Sequence, residues 1–319
     1  MTTEARLRAQ ALAMGFLASG IATLDPSERS AELDAWLAAG YGGTMRYLHR
    51  QASRRKNPAS IVPGAVRAVV VLDNYFTPAP SAAEASGPVV STARYAAGTD
   101  YHLVTTARLQ RLADWLVTEG ATIARVFVDA GPVPERELGR RAGLGWIGKN
   151  TMLIRPGAGS FFFIGTILTD LPLQEDAPYE ADRCGSCTRC LDACPTEAFV
   201  EPGVLDATRC ISFLTIEHRG AIPADLAPQL EGWAFGCDIC NDVCPWNQRF
   251  AEPTSTVEFQ PRPVPDHRDP EYFARMTTDE FATLFADTPY ERPGLEGMRR
   301  NWTAAFATAS RPARAPVPD

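Results

Sequence analysis

Eight cysteines, all lying between Cys184 and Cys244, constrain this chain more than any other feature. They form two runs. The first is Cys184-x2-Cys187-x2-Cys190-x3-Cys194-Pro195; the second is Cys237-x2-Cys240-x3-Cys244-Pro245, with Cys210 upstream. Disulfides would be spread through a secreted fold, whereas cysteines gathered in one segment point to metal. Structural zinc prefers two separated C-x2-C pairs. Three cysteines at x2 and x2 spacing followed by Cys-Pro match a loop that wraps a [4Fe–4S] cube, the fourth thiolate arriving from elsewhere. In two-cluster ferredoxins the cysteine before proline serves the other cluster. On that logic Cys184, Cys187, Cys190 and Cys244 hold cluster one, and Cys194, Cys210, Cys237 and Cys240 hold cluster two. Pro195 and Pro245 lack an N–H and fix φ, which suits a sharp turn into a helix. Cys210 stands 27 residues before Cys237, where an ordinary ferredoxin leaves two. Residues 211–236 must therefore leave the cluster core and return, and such a loop can touch a second cofactor.

Two clusters make an electron conduit but do not occupy the roughly 180 residues ahead of them. With 319 residues, 45% of them hydrophobic, the chain can build one large core plus a smaller appended unit. No apolar run is long enough to span a membrane. The start has Arg6 and Arg8 but also Glu4, without the charged-then-apolar layout of an export signal, so a cytoplasmic location is expected. The net charge of -7 does not mark a nucleic-acid binder. Local charge differs: Arg46, Arg50, Arg54, Arg55, Lys56 and Arg67 fall in a stretch without Asp or Glu, a stripe suited to phosphates or to a solvated face. Smaller groups are Arg136, Arg140 and Arg141, and Arg299 with Arg300.

Periodicity predicts helices over 6–18, 26–39, 100–120 and 134–143, and strands over 66–74, 122–129 and 160–170. This alternation favours an α/β layer domain. A Pro-, Ala- and Ser-rich loop is expected over 77–88 and an acidic linker over 172–182. Beyond the cysteine unit come helices over 278–286 and 297–309 and a frayed tail from Arg311. The division is 1–172, 173–250 and 251–319.

Several segments together resemble the epoxyqueuosine reductase family. They are RYAAGTDYH from Arg94 to His102, VDAGPVPERELGRRAGLGWIGKNTMLI from Val128 to Ile154, the first cysteine run, RCISFLTIEHRG from Arg209 to Gly220, and WAFGCDICNDVCPWN from Trp233 to Asn247. The resemblance runs from about Met14 to Trp302. It implies an α/β N-terminal cobalamin-binding domain followed by an α+β two-cluster ferredoxin-like domain and a C-terminal helical extension. It also implies reduction of epoxyqueuosine at the tRNA wobble position to queuosine, the last step of queuosine synthesis. The implied partners are a tRNA bearing epoxyqueuosine and a low-potential donor such as flavodoxin or ferredoxin, with no membrane and a monomeric enzyme. No Asp-x-His-x-x-Gly motif offers a histidine ligand to cobalt, which fits the family.

The resemblance further makes Asp129 the proton donor. Its place at a strand end agrees, because α/β sheets set ligands there; the alternative is a turn-forming aspartate before Gly131-Pro132. Cofactor contacts are expected at Arg55, Asp129, Lys149, Asn150, Ser212 and Asp238. Lys149 is one of two lysines and sits in a glycine-punctuated segment where backbone approaches a ligand closely. Tyr101 and His102 are expected to shape the same pocket. Two rivals stand beside this reading. One is a ferredoxin-like electron-transfer protein without corrinoid chemistry. The other is a reductive dehalogenase-like enzyme, whose usual twin-arginine signal is not found.

Overall fold

The computed structural model describes residues 1–78 and 88–309. Most of the predicted 77–88 loop and the tail from Arg311 lie outside the described residues. In chain order the first half runs α1 (Thr3–Ala13), β1 (Ala18–Thr23), α2 (Ser30–Ala38), α3 (Arg46–Lys56), β2 (Arg67–Asn74), β3 (Ser91–Thr92), α4 (Tyr101–Thr118), β4 (Ala124–Val128), α5 (Glu135–Arg141), β5 (Trp146–Ile147), β6 (Leu153–Ile154) and β7 (Phe162–Thr169).

β2 reads RAVVVLDN, and its six middle residues are all buried. A run apolar on both faces belongs in the middle of a sheet, and β2 lies there, in the order β1-β2-β7-β4. Val69 and Val71 point to one face, where Leu109, Leu112 and Leu116 of α4 cover them. Ala68, Val70 and Leu72 point to the other, against Leu138 of α5. The three α4 leucines recur at one helical stripe and are fully buried, each contributing about 1.5–3 kcal/mol of transfer free energy.

The alternating element order holds, but every pairing in this sheet is antiparallel. It is not the parallel sheet that βαβ crossovers build, so the strand-end rule for parallel sheets gives Asp129 no support. The expected helix over 6–18 also divides. It stops at Met14, Gly15 takes φ +88°, and the chain returns as edge strand β1. The small residues of β1 hide its strand character, and packing explains them: a Cβ on Gly20 would lie 2.2 Å from the Ala142 carbonyl oxygen at the end of α5.

The second half runs α6 (Arg189–Asp192), β8 (Phe199–Glu201), β9 (Val204–Leu205), α7 (Ile211–Ile216), β10 (Trp233–Phe235), α8 (Ile239–Asp242), α9 (Pro245–Phe250), α10 (Tyr272–Arg275), α11 (Thr278–Phe285) and α12 (Gly294–Ala309). α11 starts with a capping box between Thr277 and Glu280. Residues 211–236 do leave the cysteine unit: they form α7 and come back as β10, which pairs in parallel with β3. The two prolines differ. Pro245 opens α9, as expected, whereas Pro195 enters a turn in which the Glu197 N–H reaches the Cys194 carbonyl, and a short hairpin follows.

The cores cross the three-part sequence division. Phe259 sits in the α1–α4 core. Val90 and Ala96 join Phe273, Phe285, Met298 and Trp302 of the C-terminal helices. Buried Asn247 stitches the segment before β7 to the second cysteine run, accepting from the Ser160 N–H at 2.6 Å and donating to the Asn241 carbonyl at 2.8 Å. Among the described residues, no helix is long and apolar enough to cross a membrane.

Candidate active site and cluster centres

Cys184, Cys187, Cys190 and Cys244 line one cavity together with Lys149, Asn150 and Trp246. Burial pushes the Cys190 thiol up to about 11, with Cys184, Cys244 and Cys187 as its charged neighbours. Burial likewise raises Cys240 well above the ordinary thiol range, with Cys210, Cys190 and Cys194 among its charged neighbours. Cys237 is raised by burial with Cys240 and Cys210 beside it, and Cys210 by burial with Cys194 beside it. Cys244 thus lies with the three cysteines of the first run around one cavity. Among the described residues, no three His, Cys, Asp or Glu side chains converge on a single-ion site. Four thiols spread around a cavity suit the corners of a cube, and this donor set fits a [4Fe–4S] cluster at each centre.

A second constellation surrounds Asp129. β4 delivers it to a loop where it takes φ +49°, a left-handed conformation that aspartate tolerates better than most residues. Its backbone N–H donates to Glu135 Oε1 at 2.8 Å, and its Oδ2 accepts from the Tyr101 hydroxyl at 2.5 Å. Tyr101 is fixed by stacking on Phe163 at 4.1 Å and on His102 at 4.1 Å. Burial, then the Asp129 charge, raises the Tyr101 pKa well above the ordinary phenol value, so it remains a proton-bearing donor. Burial and the same charge push Glu135 upward, to about 8. Burial disfavours a charged His102, but the hydrogen bond and charge of Asp100 outweigh it and raise its pKa above the usual imidazole value. Asp129 itself is exposed, and among the described residues its Oδ1 has no partner.

Helix α3, read from sequence only as a basic, polar stretch, forms one wall. It buries no residue fully, which is why apolar periodicity missed it. Its row Tyr47, Gln51, Arg55 faces inward. Arg55 donates to the Gly131 carbonyl at 3.0 Å and so tethers the Asp129 loop, while its Nε is buried without a partner. Its row Arg46, Arg50, Arg54 is exposed, and among the described residues none of the three has an acidic partner. The remaining stripe residues are engaged, Lys56 with Asp34 and Arg67 with Glu175. The other basic groups are engaged too. Arg140 pairs with Glu28, Arg141 with buried Glu137, and Arg136 donates to Thr151. Arg299 and Arg300 clamp backbone carbonyls, including those of Met276 and Gly220.

The expected cofactor contacts divide accordingly. Arg55 and Asp129 lie at one site. Ser212, just inside α7, follows Cys210 by two residues. Three others are committed to protein partners. The Lys149 ammonium donates to the Gly185 and Cys187 carbonyls at 2.7 and 2.9 Å. Asn150 is buried between the cysteine runs, accepting from the Met152 N–H. The Asp238 carboxylate is buried and holds Arg94 through both its backbone N–H and its guanidinium. Glu135 and Tyr47 escaped the sequence reading; the only signal for Glu135 was its place six residues after Asp129 in a charged helix.

A model for a 4Fe-4S double cluster binding domain matches residues 183–247, and one described as epoxyqueuosine reductase QueG, DUF1730 matches residues 55–130. Epoxyqueuosine reductase of Pseudomonas aeruginosa is 42% identical over 307 residues, covering 95% of this chain and 84% of that protein. The Xanthomonas campestris enzyme is 43% identical over 310 residues, covering 96% and 86%. The chain belongs to the epoxyqueuosine reductase family. Solved members share its fold. An epoxyqueuosine reductase bound to an epoxyqueuosine-modified tRNA-Tyr stem loop superposes with a TM-score of 0.86 at 29% identity, covering 96% of this chain and 81% of that one. The Bacillus subtilis epoxyqueuosine reductase, solved with an aspartate-bearing catalytic loop swung out of its active site, gives 0.85 at 30% identity, with the same coverage.

Proposed function

We propose that this chain reduces epoxyqueuosine in tRNA to queuosine, with Asp129 as the acid that protonates the departing epoxide oxygen. Kinship with epoxyqueuosine reductases along nearly the whole chain carries this reading. The reaction consumes two electrons and two protons: both carbon–oxygen bonds of the epoxide break, an alkene forms and the oxygen leaves as water. The chemistry supplied by bound cobalamin is electron delivery from cobalt at low potential, replenished singly through the clusters. The donors present suit a corrinoid rim of amide groups: the unpartnered Arg55 Nε and the Ser212 hydroxyl would hold it, whereas Lys149, Asn150 and Asp238 are already engaged.

The protein's own part is positional. The Tyr101 hydroxyl occupies one Asp129 oxygen and leaves Oδ1 for the substrate. Glu135 and Arg55 hold the loop backbone on either side of the turn. This loop is tied at few points, and a loop with few tethers opens at low cost; the swung-out catalytic loop of the Bacillus subtilis relative is consistent with that design. Outside the pocket, the Arg46, Arg50, Arg54 row offers three unengaged charges beside the site. Docking the phosphates of a stem loop there sets its modified base toward Asp129.

The deciding assay incubates the anaerobically reconstituted protein, loaded with cobalamin and a chemical reductant, with epoxyqueuosine-modified stem loop, followed by nucleoside mass spectrometry. A product lighter by one oxygen atom is expected. Failure to bind cobalamin, with no product, favours a plain electron-transfer protein. For the α3 row, Arg50→Glu with Arg54→Glu is expected to weaken stem-loop binding and flatten its salt dependence by about two counterions' worth of slope, because fewer ions are released. An unchanged salt slope would place the phosphate contacts elsewhere.

A further inference from the structure

The segment Trp146–Lys149 lies in the first half of the chain, yet both its ends hydrogen-bond the first cysteine run. Trp146 is 3% exposed, and its indole N–H donates to the Cys184 sulfur at 3.4 Å. The ring is held edge-to-face by Trp246 at 4.9 Å and stacked with Tyr179 at 5.9 Å. Three residues on, the Lys149 ammonium holds the carbonyls of Gly185 and Cys187, the two ends of the loop between the first ligands. The hairpin that carries them is tightly built: a Cβ at Gly145 would lie 2.1 Å from the Ile154 carbonyl oxygen. The Cys184 sulfur stands for the thiolate that would bind iron.

From this geometry we infer that Trp146 and Lys149 set the reduction potential of cluster one. Reducing a cluster adds one negative charge shared between iron and its sulfurs. A hydrogen bond to a ligand sulfur and a cation beside the loop both stabilise that added charge, so both raise the potential. Both contacts fall on the first cysteine run, so the effect is largest at the centre formed by Cys184, Cys187, Cys190 and Cys244. The pocket around Asp129 is not involved, and the inference stands whether or not Asp129 is the acid.

The test is an equilibrium redox titration of the reconstituted full chain, followed by electron paramagnetic resonance. Cys187→Ala protein, lacking cluster one, identifies the cluster-two signal. Trp146→Phe keeps the ring and removes the N–H. It is expected to lower the cluster-one midpoint, leave the cluster-two midpoint in place and retain the full iron and sulfide content. Lys149→Met is expected to shift the same centre in the same direction, and Lys149→Arg to restore most of the shift. Where Trp146→Phe fails to assemble cluster one, the lysine pair decides alone. Unchanged cluster-one midpoints in the assembled variants, or equal shifts at both clusters, would overturn the inference.

Discussion

Cys244→Ala is expected to abolish cluster one, although Cys244 lies in the second cysteine run. Cys194→Ala, in the first run, should abolish cluster two. Each variant should retain about four of about eight irons by the ligand count of such centres, and electron flow to the active site should fail in both. The expectation rests on the grouping of Cys244 with Cys184, Cys187 and Cys190 around one cavity, which leaves Cys194, Cys210, Cys237 and Cys240 for the other centre. A thiolate cannot be replaced by alanine without leaving an iron corner open, and the remaining half-buried thiols lose the metal that compensated their desolvation. Iron analysis with spectroscopy of the residual signal decides the matter. If Cys244→Ala removed the same signal as Cys237→Ala, the crossed ligation would be wrong. If the wild-type chain bound a single zinc and no sulfide, both centres would be wrong.

The place of Cys244 beside the first cysteine run was legible because cluster ligation imposes spacing directly on the sequence. Four thiolates around a small cube leave little freedom in the loop joining the first three. The buried strands β2 and β7 were legible for a similar reason, since short β-branched apolar runs have few other homes. What stayed hidden depends on packing across elements. β1 is a strand because its neighbours demand small residues, not because its own residues favour one. α3 is amphipathic in a different sense, polar toward the pocket and charged toward solvent, so no apolar stripe marks it. The difference between Arg54 and Arg55 is invisible in sequence; in the fold, one faces solvent and the other ties down the Asp129 loop. Glu135 shows the same limit, because its role comes from the Asp129 N–H that the turn presents to it. Lys149 was singled out by rarity and glycine context, which correctly flagged a constrained position, but its ammonium is spent on the cluster-one loop.

Asp129→Asn is expected to fold, assemble both clusters and bind cobalamin, yet lose about 10²–10⁴-fold in the rate of epoxide reduction, the span a placed general acid contributes. Asparagine preserves the size of the side chain and can still accept from the Tyr101 hydroxyl through its amide oxygen. It also tolerates the left-handed conformation that this position requires. What is removed is the acidic proton, together with the Asp129 charge that raises Tyr101 and Glu135. Tyr101→Phe separates positioning from chemistry: it frees the second carboxylate oxygen and loosens the side chain without removing the acid, so a smaller loss is expected. Single-turnover reduction of epoxyqueuosine stem loop by pre-reduced protein is the proper measurement, since it isolates the chemical step from electron resupply. Rates within a few-fold of wild type for Asp129→Asn would reduce Asp129 to a turn residue. Tyr101, whose raised pKa keeps its proton in place but whose hydroxyl already points at the same spot, would then be the better candidate. A loss in Tyr101→Phe as large as that in Asp129→Asn would point to a shared proton between the two groups, because a positioning contact alone leaves the acid able to act whenever it samples the right geometry.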